Sequence, residues 1–154
     1  MSFHAEQFAE LLVSLGEQNP SVEAISQETD AARWIIEFER DLVLLLELDE
    51  DHGTLNIEAD LGRPPEERRL ETCEALMMFT SLKHASEGMA MALSEPAGNY
   101  LLLGQSPALD MEGFDIPSAI LKFADHALQW KDIVADGAQQ GYAKGEMNTL
   151  AMLA

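Results

Sequence analysis

Cations are what this chain has least of. Its 154 residues carry 9 Lys and Arg against 28 Asp and Glu, a formal net charge of −19 with the four histidines neutral. Contacts to nucleic acid or to an anionic membrane need clustered Lys and Arg, so neither is an expected partner. Only mimicry of a nucleic acid towards a basic protein stays open on charge grounds. Cysteine is almost absent: Cys73 stands alone, which rules out an intrachain disulfide framework and fits a reducing compartment. Long apolar runs are missing too. No apolar run exceeds five residues, as in Leu42–Leu46, Ala75–Phe79 and Met89–Leu93, against the ~18 of a spanning helix. The opening Met1-Ser2-Phe3-His4-Ala5-Glu6 lacks the basic and apolar regions of a signal peptide. With 47% hydrophobic residues, the expectation is one folded, acidic, intracellular domain over 1–137, followed by a flexible tail over 138–154.

The charge is uneven. Residues 1–62 hold 15 acids and only Arg33 and Arg40 as bases, a net of −13. Such a half either keeps an apolar surface soluble or attracts a basic partner.

Periodicity orders the elements. Phe8, Leu11, Leu12 and Leu15 form one helical stripe that Ser2 can cap and Gly16 can end. Residues 17–32 contain Pro20 and read as an irregular connection with at most a helical turn. The period then becomes two: Trp34, Ile36 and Phe38 alternate with their neighbours, while Leu42–Leu48 is aliphatic enough for a strand covered on both faces. Beyond the turn at Asp51-His52-Gly53, Leu55, Ile57, Ala59 and Leu61 alternate with Thr54, Asn56, Glu58 and Asp60, a half-buried strand.

Pro64-Pro65 then opens a helical stretch to about Glu87 in which Ala75-Leu76-Met77-Met78-Phe79 leaves no polar side. A helix apolar all round needs cover all round. One sheet supplies half of it, so a second copy of the chain is the expected cover on the other. Two short strands, Met89–Leu93 and Asn99–Gly104, flank the turn Glu95-Pro96-Ala97-Gly98. The stripe Ile116, Ile120, Phe123, Ala127, Trp130 and Val134 predicts a last helix stopped by Gly137. The fold expected is α+β, a twisted antiparallel sheet with helices in the order α-β-β-β-α-β-β-α, dimerised through the second long helix.

Catalysis finds little here. Gly104-Gln105-Ser106-Pro107-Ala108, with Asp110 and His126 downstream, nearly matches a nucleophile elbow, but that elbow needs a parallel α/β sheet. A turn ending a strand is expected there instead. Asp49-Glu50-Asp51-His52-Gly53 fails as a calcium loop, since Gly53 at the sixth position puts Leu48 at the first. His4, His52, His84 and His126 lack ligand spacing and read as surface or cap residues. Cys73 reads as a small hydrophobe on a buried helix. No enzyme, metal or cofactor is expected. What remains is binding, by apolar surface rich in methionine (Met77, Met78, Met89, Met91) under an acidic coat.

Three stretches carry a resemblance. They are the meander from Phe38-Glu39-Arg40-Asp41 to Leu61-Gly62, the helix Leu70–Leu82, and Met89-Ala90-Met91-Ala92-Leu93 with Tyr100-Leu101-Leu102-Leu103 leading into Phe114–Val134. In order and composition the chain resembles the class I type III secretion chaperones, the Tir/CesT-like family, over about residues 3–136. The resemblance implies a bacterial cytoplasmic homodimer, serving virulence-associated secretion, that holds the N-terminal region of one or more secreted effectors in extended form. It further implies that an export ATPase strips the complex and that the chaperone hydrolyses nothing. On this likeness the effector would lie on Phe8, Leu11, Leu12, Leu15, Trp34, Ile36, Phe38, Leu44, Leu46, Met89 and Met91. The dimer contact would use Cys73, Leu76, Met77, Phe79, Thr80 and Lys83. The lengthened link 17–32 and the tail after Gly137 depart from the family plan. A non-secretory regulator resembling the YbjN-like proteins is the alternative.

Overall fold

Two-residue alternation decides where the sheet lies, because successive strand side chains point to opposite faces. The computed structural model describes residues 5–108 and 115–138, with 83–86 in backbone only. Three helices and six strands follow in the order α1 (Ala5–Gln18), β1 (Val22–Gln27), β2 (Arg33–Phe38), β3 (Leu42–Asp49), β4 (Thr54–Gly62), α2 (Arg69–Glu87), β5 (Met89–Leu93), β6 (Tyr100–Pro107) and α3 (Ile116–Asp136). A 3₁₀ turn at Glu66–Arg68 leads into α2. The strands form one antiparallel sheet ordered β1-β2-β3-β4-β6-β5. This is the α+β plan expected, with one strand added.

The added strand is β1, where an irregular link was expected. Its two large apolar residues, Val22 and Ile25, stand three apart, which hides the period of two. A bulge explains the spacing: Val22 pairs with Phe38 and Ala24 with Glu37, leaving Glu23 as the extra residue. Val22 and Ile25 therefore both lie opposite inward-facing residues, Phe38 and Ile36. Gly16 does not end α1, as was expected, but sits inside it. A Cβ there would stand 3.1 Å from Ile25 Cδ1, so the missing side chain lets helix and strand approach closely. Ser2, the expected cap, lies outside the described residues.

The chain clusters into two compact units. The first comprises residues 5–59 with 105–108 and 115–124. Phe8 and Trp34 meet edge-on at 4.8 Å, and Leu12, Ile36, Leu42, Leu44, Leu46, Leu55 and Ile120 are fully buried around them. β3 differs from its expected double cover. Leu42, Leu44, Leu46 and Leu48 are buried while Val43 and Leu45 are 45% and 37% exposed, so among the described residues nothing covers that face.

The second unit comprises residues 60–104 with 125–138. There Phe79 of α2 meets Trp130 of α3 edge-on at 5.0 Å. Thr72, fully buried, donates its hydroxyl to the Arg68 carbonyl and accepts the Ala138 amide. Ala138 is itself buried; the rest of the expected tail, 139–154, lies outside the described residues. α3 stops where expected, at Gly137 with φ +74°. Its predicted stripe is buried from Ile116 to Val134.

Candidate functional site: apolar faces within an acidic coat

Helix α2 presents one apolar side to its own chain and another to solvent. Ala75, Leu76 and Phe79 are buried, whereas Leu70, Met77, Met78 and Leu82 are 69%, 73%, 40% and 47% exposed. The exposed set follows helical spacing: Leu70 to Met77 is seven residues and Met78 to Leu82 is four. Exposed apolar side chains grouped in this way make that side of the helix a candidate contact surface.

Beside this stripe, Cys73, Leu76, Met77, Met91, Ala92, Leu93 and Tyr100 line a hollow of about 230 Å³. Its floor is a short hydrogen-bond chain. The Cys73 thiol lies 2.9 Å from the Tyr100 hydroxyl, which reaches the Arg69 carbonyl at 3.4 Å. Burial, reinforced by the Cys73 contact, pushes the Tyr100 phenol up to about 12. The hollow is therefore apolar and neutral. Thr80 accepts the Met91 amide at 2.8 Å and donates to the Leu76 carbonyl at 3.2 Å. One backbone donor of the edge strand β5 is thus already satisfied by α2.

A second groove, of about 580 Å³, runs between α1 and the start of α3 in the first unit. Leu11, Leu15, Pro117 and Leu121 make its apolar lining, and Ser14, Gln18, Asn19, Asp115 and Ser118 its polar lining. Asp115 caps α3: its carboxylate accepts the Ser118 amide at 3.2 Å and the Ser118 hydroxyl at 2.6 Å. Those bonds, the hydroxyl's first, hold the carboxyl below its ordinary range.

The residues expected to touch an effector divide by burial. Phe8, Leu12, Leu15, Trp34, Ile36, Phe38, Leu44, Leu46 and Met89 are core residues of this chain. Leu11 and Met91 are half-buried, and each lines one of the two hollows. Of the expected dimer residues, Leu76 and Phe79 are buried, Cys73 and Thr80 half-buried and Met77 exposed. Lys83 lies outside the described side chains, as does His84, and His4 and Asp110 lie outside the described residues. Leu70, Leu82, Val43 and Leu45 were missed. A helical wheel drawn opposite Phe79 would have found Leu70, and the odd-numbered positions of β3 Val43 and Leu45; Leu82, one turn from Phe79, gave no such signal.

The remaining motifs carry no chemistry that these geometries support. Gly104–Pro107, expected as a turn, continues β6, so Ser106 sits in extended strand rather than on a strand-to-helix elbow. His52 joins Asp49 at the β3–β4 turn, with its backbone amide and ring nitrogen 3.0 and 2.8 Å from the carboxylate. These bonds lower the Asp49 pKa. His126, expected at the surface, is buried on α3 with Glu87 at 3.7 Å and the Phe79 ring edge-on at 6.3 Å. Among the described residues there is no cluster of three or more His, Cys, Asp or Glu able to hold a metal. None of the described helices is long and apolar enough to cross a membrane.

No protein-family model matches this chain, and no curated protein matches it in sequence. Solved structures do. A chain of the HopA1–SchA chaperone–effector complex is similar with a TM-score of 0.60 and 16% identity, over 82% of this chain and 91% of that one. A chain of the ExsC–ExsE complex is similar with a TM-score of 0.60 and 19% identity, over 90% of this chain and 100% of that one. At such identities the likeness is one of fold: this chain has a class I type III secretion chaperone-like fold.

Proposed function

We propose that this protein is a cytoplasmic secretion chaperone, a binding module without catalysis, that holds the N-terminal region of one or more secreted effectors. The observation that carries the reading is fold likeness over most of the chain to chains of two complexes, one of them a chaperone–effector complex. An open apolar hollow beside α2 and a part-apolar groove beside α1, on a strongly acidic chain, support it, because such a surface can hold an aggregation-prone segment and stay soluble. The chain acts as a homodimer joined through the outer side of α2, where Met77 and Cys73 meet the partner copy. The effector engages Leu11 in the α1 groove, and Met91 at the β5 side of the α2 hollow, beside the contact with the partner copy. Of the nine buried residues of the expected set, Leu15 lines the α1 groove and the other eight belong to the core. An export ATPase releases the complex.

The test is a tagged pull-down of the full chain from its own cells, with mass spectrometry and limited proteolysis. The expected result is a larger, secreted protein in which only a stretch near the N-terminus resists the protease. Recovery of an intact folded cytosolic protein, or of none, would overturn the secretion role and leave a regulator of the same fold.

A further inference from the structure

The outer face of β2 and β3 is unabsorbed by this reading. Ile35 lies opposite Leu45, Val43 opposite Glu37, and Leu45 also opposite Glu58 of β4. Ile35, Val43 and Leu45 thus form an apolar patch with a carboxylate on either side. The carboxylates of Glu37 and Glu58 have no hydrogen bond or ion pair among the described residues, whereas the one base of β2 and β3 on this face, Arg33, is held by Glu47 at 2.9 Å and Glu28 at 3.5 Å. The face is therefore apolar in the middle and anionic at both margins.

We infer that this face docks a basic amphipathic helix of a partner protein, with its apolar stripe on Ile35, Val43 and Leu45 and its Lys or Arg rows against Glu37 and Glu58. Three arguments select that occupant. Away from its edges a sheet offers side chains and no free backbone groups, so a segment laid on it must satisfy its own backbone bonds, as a helix does. Glu37 and Glu58 stand on strands two apart, roughly 10 Å across the sheet, about the width of one helix. Local charge selects a basic partner over a second copy: a self-contact here would bring Glu37 and Glu58 near the same carboxylates of the other copy, while basic rows complement them. The proposal rests on the effector-binding reading only in taking the helix from a partner.

The test uses the full chain and a synthetic Leu/Lys amphipathic helix of about 18 residues, followed by fluorescence anisotropy. A scramble of the same composition without the apolar stripe is the control. Replacing Val43→Ser with Leu45→Ser, or Glu37→Gln with Glu58→Gln, is expected to weaken binding about tenfold. Glu6→Gln with Glu10→Gln, two exposed acids of α1, should leave it unchanged, as should the thermal midpoint in every variant. The scramble should bind at least tenfold more weakly. Equal losses from the α1 pair, or equal binding of the scramble, would mean diffuse charge attraction and overturn the proposal. So would a fall in sedimenting mass on Val43→Ser with Leu45→Ser, which would make the face a contact between copies. Pull-downs separate this inference from the wider reading. Face variants that lose the peptide in a protein that captures no secreted partner sink the chaperone role alone. Secreted-partner capture together with unaltered peptide binding by the face variants sinks this proposal alone.

Discussion

Thr72 shows how much one hydroxyl can organise. It both donates to the Arg68 carbonyl and accepts the Ala138 amide, and it is fully buried. Thr72→Val keeps the shape and leaves Ala138 N–H without its acceptor in a dry site. The expected loss is about 1–3 kcal/mol in urea denaturation, with Thr72→Ser retaining most of the stability. Tyr100 gives a second prediction at this scale. Its phenol, near 10 when free, is pushed up to about 12 by burial. The fold therefore favours the protonated form, and its contribution is complete below pH 10 and lost as pH rises towards 12. Thermal midpoints measured across that window should fall more steeply for the wild type than for Tyr100→Phe. Parallel curves would show that the phenol does not titrate with folding. Neither role was legible in the sequence, since Thr72 and Ala138 are 66 positions apart and Cys73 and Tyr100 are 27.

Element boundaries were legible wherever one residue type had a single physical use. Gly137 was read as the stop of α3, and it is, for two separable reasons. Its φ of +74° strains any side chain, and a Cβ would stand 2.5 Å from Arg68 Cβ. Gly62 has a similar φ of +77° with nothing within 4 Å. Gly62→Ala should therefore cost about 1 kcal/mol, and Gly137→Ala at least about 2 kcal/mol. Equal losses in chemical denaturation would show that the contact with Arg68 yields without cost. Gly16 and β1 were misread for related reasons. A glycine that permits close approach looks in sequence like one that ends a helix, and a bulge erases the alternation that betrays a strand.

Across the whole molecule, apolar residues without cover in the single chain decide how assembly can be tested. Phe8 and Phe79 are core residues, so a charge at either would damage the fold rather than a contact. Met77, 73% exposed, is the discriminating position. Met77→Glu should leave the thermal midpoint of the single chain near its starting value and halve the sedimenting mass, because it places a charge in a desolvated contact. An unchanged mass would remove this side of α2 from the interface.

The sequence by itself determined the acidity, the α+β class and the inward-facing positions of β2, β4 and α3, because composition and periodicity of 3.6 or two act locally along the chain. Only tertiary structure decided which apolar residues are core and which are surface. Leu44 and Leu45 are equally hydrophobic neighbours, yet one is buried and the other open. The same holds for Leu76 and Met77. A uniformly aliphatic run has no polar phase to say which face is covered, so that choice falls to whatever packs against it.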